Sequence, residues 1–259
     1  MTNAEEHVLT GGVVNVVVRV GDTVRRPTGP WTPAVHALLN HLEAVGFAYS
    51  PRVLGIDEQG REILSFVEGV PAMRPWPPVL RTDAGLRALG TMLGELTRAL
   101  ATFVPPPDAV WRTSPGPTAT PGSGFRHGDV GMWNTIWDED RLVGLIDWDF
   151  AEPAPPLWDL AQAAWYAVPL YAGTKGWEAC GFPAEPDVRH RFEVLCDAYG
   201  AEPVDVLEAL ADLQVAERDR VLTLGSAGVS PYAEVLARGD VEDLDQEIRR
   251  LAEHRRILL

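Results

Sequence analysis

Strand-forming sequence is confined to two places in this 259-residue chain, and amphipathic helical patterns take most of the rest. In the first place, "VVNVVVRV" (13–20) and "TVRRP" (23–27) are β-branched runs joined by Gly21-Asp22, a two-residue hairpin signal. "RVLGI" and "EILSFV" then flank the turn "DEQG" (57–60), with one helix between the two pairs: Thr32 offers an N-cap, Pro33 the first helical position, and "AVHALLNHLEAV" runs to Gly46. In the second place, "TIW" and "LVGLI" flank "DED" (138–140). Helical periodicity covers 83–103, 156–170, 187–199, 204–224 and 231–256, with Gly200 and Gly225 as stops. Strands segregated from helices in this way predict an α+β fold rather than an alternating one. The Gly/Pro-rich "EGVPAMRPWPP" (68–78) reads as a hinge, giving an N-terminal lobe at 1–67 and a larger, mainly helical lobe at 79–259. The Pro-, Ser- and Thr-rich loop 104–124 is long enough to suggest a functional segment.

Charge narrows the partners. With 22 basic and 37 acidic residues the net charge is −15, and no basic face is concentrated anywhere, which argues against nucleic acid. The opening "MTNAEEHVLT" lacks the basic start and apolar run of a signal peptide, and no segment is apolar enough to span a bilayer. Two cysteines, Cys180 and Cys196, make no disulfide framework. The expected setting is therefore the cytoplasm, without membrane attachment.

The chemistry concentrates in "RHGDVGMWN" (126–134) and in the acid that follows "LVGLI". Asp129 and Asn134, on one Gly-containing loop, can converge on a point, and Asp147 stands at a strand end, where a sheet delivers a polar group to a cleft. Asn and Asp oxygens suit Mg²⁺, which keeps several waters and takes its remaining ligands from substrate phosphates. Asp129 would then be free to accept a proton from an attacking hydroxyl. Each residue has a plainer reading. Asp147 could cap the turn into "WDFAEP", Asn134 could close the loop in a left-handed conformation, His127 could be a core histidine, and Asp159 in "LWDLA" could cap the next helix. Taken as a short metal-binding acidic pair, "DWD" (147–149) would suit a sugar-nucleotide glycosyltransferase, but that leaves "HGDVGMWN" unexplained.

Taken in order, "HGDVGMWN", "LIDWD" and "WDLA" resemble the aminoglycoside phosphotransferase and choline kinase group of protein-kinase-like small-molecule kinases, over about the whole chain. The resemblance implies a bilobal protein-kinase-like fold, with a small β-rich nucleotide-binding N-lobe and a larger helical C-lobe for catalysis and substrate. It implies Asp129 as catalytic base, Asn134 and Asp147 as Mg²⁺ ligands, and His127 and Asp159 as structural support. "TGGVVN", with Gly11, Gly12 and Asn15, looks like the nucleotide-covering turn, and "SFVEG", with Phe66 and Val67, like the linker that meets a purine edge.

Two positions depart from the family pattern. The usual strand Lys that reaches the nucleotide phosphates is missing, since the chain's single lysine is Lys175. Arg25 or Arg26 must serve; strand alternation turns one inward and the other outward, and Arg25 is taken as the inward one. The next helix also lacks its usual central Glu, so Glu43 or His36 substitutes or the ion pair is absent.

The resemblance thus implies an ATP- or GTP-dependent, Mg²⁺-dependent O-phosphotransferase acting on a hydroxyl of a small polar molecule. An antibiotic of aminoglycoside or nucleoside (capuramycin-like) type, with resistance as the outcome, is the expected acceptor. The alternative is a catalytically impaired kinase-like binding or immunity protein.

Overall fold

The structure, a computed structural model, describes residues 6–9, 17–113, 124–170 and 173–259. Gly11, Gly12 and Asn15, with residues 114–123 of the loop expected at 104–124, lie outside the described residues. The fold is α+β and protein-kinase-like: β-rich at the N-terminal side and mostly helical beyond. Two compact units are present, the first comprising 1–71, 95–129 and 133–155, and the second 72–94, 130–132 and 156–259.

The first unit begins with an antiparallel sheet built from β1 (His7–Leu9), β2 (Val17–Val20), β3 (Thr23–Arg26), β4 (Val53–Ile56) and β5 (Glu62–Ser65), in spatial order β1-β2-β3-β5-β4. Gly21-Asp22 makes the expected two-residue turn: Val20 pairs with Thr23, and Gly21 takes the positive φ (+58°) that this turn demands. Between β3 and β4 runs α1 (Thr32–Ala44), which buries Ala34, Val35, Leu38, Leu39 and Leu42 on one stripe. Its start differs by one residue from expectation. Trp31 is the cap position, and the Thr32 hydroxyl instead accepts from the Gly29 amide at 2.9 Å, closing the turn before the helix.

Two residues of the expected hinge form a strand. Strand β6 (Val70–Pro71) pairs with the later hairpin as Val70↔Trp137 and Pro71↔Ile136. That hairpin follows β7 (Gly124–Arg126) and consists of β8 (Thr135–Asp138) and β9 (Arg141–Leu145), giving a sheet of order β6-β8-β9. β10 (Glu152–Ala154) returns antiparallel to β7. Its Glu152 accepts from Arg126 Nε at 3.0 Å, a fully buried ion pair that ties the two strands flanking the motif region.

The second unit is helical. It holds the first turns of α2 (Asp83–Leu100), then α3 (Trp158–Ala167), α4 (Gly173–Ala179), α5 (Val188–Tyr199), α6 (Pro203–Ser226), α7 (Tyr232–Arg238) and α8 (Asp240–Leu258). Its core is Leu86, Leu89, Met92 and Leu93 with Leu160, Phe192, Leu195, Leu207, Leu210 and Leu213. The single helix expected over 231–256 is two, because Gly239 adopts φ +84° and breaks the hydrogen-bond ladder between α7 and α8. Cys180 and Cys196 are free and buried, and burial pushes the Cys196 thiol up to about 12, so it is an inert core thiol. No helix among the described residues is long and apolar enough to cross a membrane.

Candidate active site

The motif region is assembled by hydrogen bonds between two chain segments that the β8–β9 hairpin brings together. His127 is fully buried at the end of β7, and its ring nitrogens have opposite tasks. Nδ1 accepts from the Asp129 amide at 3.1 Å, which fixes the proton on Nε2, and Nε2–H donates to the Ile146 carbonyl at 3.0 Å. Burial lowers the ring's pKa to about 4, so it is a neutral strut. Trp148 meets it edge-on with centroids 4.5 Å apart, and its own Nε1 donates to Leu145 O at 2.9 Å. The glycine that follows has no substitute: Gly128 sits at φ +84°, and a Cβ there would lie 2.0 Å from the Phe150 carbonyl oxygen.

Asn134 ends a short 3-10 turn, Met132–Asn134, and is buried. Its Nδ2 donates twice to one residue, to Asp129 O at 2.9 Å and Asp129 Oδ2 at 2.8 Å, which clamps both the loop and the carboxylate. Its own main-chain oxygen accepts from the Ile146 amide at 2.9 Å. Asp147 comes next, in the left-handed region at φ 65°, ψ 67°, a conformation that Asp and Asn tolerate better than other L-residues. The site's acid, amide and second acid thus meet through Ile146, one residue before Asp147.

Arg26 is the cation facing this cluster. It is directly opposite Glu62 in the β3–β5 register and shares its face of the sheet, with Nε 3.1 Å from Glu62 Oε1. Its NH2 donates to Asp147 Oδ1 at 3.0 Å and lies 2.8 Å from Asp149 Oδ2. Burial alone would lower the Arg26 pKa, but Asp147, Asp149 and Glu62 outweigh it and hold the guanidinium above its ordinary value. Arg25, taken from sequence as the inward residue, faces the other way. It bonds Thr23 Oγ1 at 2.6 Å and pairs with Asp57 at 3.8 Å.

Among the described residues no helix glutamate meets Arg26. Glu43 pairs with Arg52, whereas His36 of α1 bonds Glu62 Oε2 at 2.9 Å, so helix and cation are linked through a strand glutamate. Phe66 is half-buried beneath Arg19, whose guanidinium lies 3.7 Å above the ring, and its amide is committed to Asp22 O at 2.8 Å. That amide is therefore not the linker's donor to a base. Val67 packs near Gly144. Asp159 stands half-buried in the first turn of α3, and one turn on, the buried Gln162 accepts from the Val130 amide at 2.8 Å, holding the residue after Asp129.

Against this geometry the comparisons are specific. Residues 108–190, which contain the whole motif region, match the phosphotransferase enzyme family. A trifolitoxin immunity protein of Rhizobium leguminosarum bv. trifolii is 39% identical over 200 residues, covering 76% of this chain and 74% of that protein. The chain belongs to the phosphotransferase enzyme family. As a member of it, the protein is a small-molecule phosphotransferase. Solved structures share its fold. A choline/ethanolamine kinase family protein from Mesorhizobium loti gives TM-score 0.58 at 19% identity, covering 96% of this chain and 91% of that one. The ternary complex of streptomycin, ATP and APH(2")-IIa gives 0.59 at 14%, covering 95% and 93%. Macrolide 2'-phosphotransferase MphH from Brachybacterium faecium gives 0.51 at 19%, covering 95% and 91%.

Three residues of the candidate site were missed by sequence reasoning, Glu62, Arg112 and Gln162, and Asp149 was read only as part of "DWD" and "LIDWD". Glu62 had a signal, since it alternates with the apolar Leu64 on β5 and so shares the buried face. Asp149 was visible as the last acid of "LIDWD". Arg112, whose NH1 donates to Asp149 Oδ2 at 3.1 Å, and Gln162 had none, being placed by tertiary packing.

Proposed function

We propose that this phosphotransferase moves the γ-phosphoryl group of ATP or GTP to a hydroxyl of a small polar antibiotic, of aminoglycoside or nucleoside (capuramycin-like) type, and so confers resistance. The observation that carries this is the double clamp of Asn134 Nδ2 on Asp129, one hydrogen bond away from Ile146, the residue before Asp147. The clamp leaves Asp129 half-buried and oriented by a neutral donor, as a carboxylate that receives a hydroxyl proton needs to be.

The donor set fits a divalent ion. With Nδ2 occupied, Asn134 Oδ1 takes no hydrogen bond among the described residues, and the Asp147 side chain is 43% exposed with Arg26 on one oxygen only. Both are hard oxygen donors. Asn134 and Asp147 would hold Mg²⁺, which when bound neutralises charge on the transferring phosphates. The chain's own residues do the rest. Asp129 orients the acceptor hydroxyl and takes its proton as the hydroxyl oxygen bonds to the γ-phosphorus and the β–γ bridge breaks. Arg26 grips the phosphates, and His127, Gln162 and Asp159 hold the loop in place. The products are a phosphate monoester and the nucleoside diphosphate. Gly11, Gly12 and Asn15 would cover the nucleotide, and Phe66 and Val67 would flank its base. In this division of labour 1–67 binds nucleotide, 68–78 links, and 79–259 serves catalysis and the acceptor, in the cytoplasm and without nucleic acid or membrane as partner.

Solved structures of the same fold include a GDP and kanamycin complex and a streptomycin and ATP complex, and the 39% relative is a trifolitoxin immunity protein. Nucleotide consumption against a panel of aminoglycoside, nucleoside and macrolide antibiotics tests the reading. Turnover with a panel member, lost in Asp129→Ala, is expected; no turnover with any of them counts against it. The relative's name also favours a second reading, immunity by binding alone. In that case Asp129→Ala would protect cells as well as the parent does, and Mg²⁺ with nucleotide would leave the melting temperature unchanged.

A further inference from the structure

Arg112 lies outside every motif read from the sequence, yet it is nearly as buried as Arg26, with 8% side-chain exposure for each. Its guanidinium is stacked between Trp31, the residue that caps α1, and Phe150, with ring centroids 4.5 and 4.8 Å away. NH1 donates to Asp149 Oδ2 at 3.1 Å, the same oxygen that lies 2.8 Å from Arg26 NH2. The next residue, Thr113, bonds Glu152 through its hydroxyl. Two consecutive residues therefore hold both ends of the 149–152 segment that follows Asp147.

We infer that Arg112 is a positioning residue for nucleotide binding: by carrying part of the Asp149 charge, it leaves Arg26 able to reach the nucleotide phosphates. This rests on the reading of Arg26 as the phosphate-gripping cation. Three carboxylates, Glu62, Asp147 and Asp149, converge on Arg26. A guanidinium drawn by three anions has little attraction left for a fourth. Arg112 shares the innermost of them, and its planar stacking between two rings keeps it there at low entropic cost. Removing it shifts more of the Asp149 charge onto Arg26 and pulls that side chain back from the phosphates.

The test is a double-mutant cycle on the affinity for ATP with Mg²⁺, measured by calorimetry on the full chain and so independent of turnover. Arg112→Met keeps length and apolar contact but removes the charge. It is expected to weaken ATP binding by about tenfold, the scale of coupling inside one ion-pair network. Arg112→Lys, which keeps the charge but not the stack, should lose less. In an Arg26→Met background neither substitution should weaken binding further. Losses that simply add in that background, or an Arg112→Met protein that binds ATP like the parent, overturn the inference. If Arg112→Met does not fold, the same cycle is run with Arg112→Lys, and additivity there overturns it equally. Should Arg26→Met itself bind ATP unchanged, the phosphate-gripping role of Arg26 falls and the inference falls with it; if only Arg112 proves silent, the role of Arg26 stands.

Discussion

Glu62 Oε1 lies 3.1 Å from Arg26 Nε across the β3–β5 ladder, while its other oxygen bonds His36 of α1 at 2.9 Å. One buried carboxylate thus joins a strand cation to a helix whose own acid, Glu43, pairs with Arg52 instead. Taking one partner out of a buried ion pair leaves the other charge uncompensated, at about 3–5 kcal/mol. Glu62→Gln is therefore expected to destabilise the protein by about 3 kcal/mol in urea unfolding. A loss under 1 kcal/mol would mean that Asp147 and Asp149 alone suffice to hold Arg26.

Asp129→Asn keeps the shape of the side chain and removes its capacity to take a proton. Phosphoryl transfer should fall by about 10²–10⁴-fold, with nucleotide affinity nearly unchanged. A parallel drop in affinity would assign Asp129 to binding instead of proton transfer.

The Gly128 position tolerates no side chain. Its φ of +84° and the 2.0 Å approach of the Phe150 carbonyl to a Cβ act together, and Gly128→Ala is expected to cost about 2–4 kcal/mol. For a chain of this size that is roughly a 5–15 °C fall in melting temperature. An unchanged melting temperature would show that the loop can relax away from Phe150.

His127 makes stability pH-dependent in a defined direction. Its folded pKa, lowered to about 4 by burial, lies below the ordinary value of about 6.5, so the unfolded chain binds the proton more tightly. Its contribution is fully present above about pH 6.5 and is lost as pH falls toward 4, by about 3 kcal/mol in total. Urea midpoints measured from pH 4 to 8 should slope down on the acid side. The slope should flatten in His127→Gln, and identical slopes in the two proteins would place the titration elsewhere.

Much of this was legible in sequence because the motif residues act through local geometry. Asp129, Asn134 and Asp147 depend on a loop of fixed length and one hairpin, and both are written in consecutive residues. The cation was misread as Arg25, although the strand carried a clue to Arg26. On β3, Val24 and Arg26 share one face and Thr23 and Arg25 the other, so the face bearing the apolar residue turns inward. What escaped were partners with no periodicity to betray them. Arg112 lies in irregular chain and meets Asp149 across 37 residues, and Gln162 meets Val130 across 32. The break at Gly239 was missed because a single glycine inside a helical pattern is ordinarily tolerated.

Arginine in place of lysine at the heart of the site has a practical side. Reagents that report on nucleotide pockets by acylating a buried amine need a lone pair on nitrogen, and a guanidinium held protonated by three carboxylates has none to give. The one lysine of this chain, Lys175, is far along the sequence from Arg26. Amine-directed profiling of nucleotide pockets would pass this enzyme by.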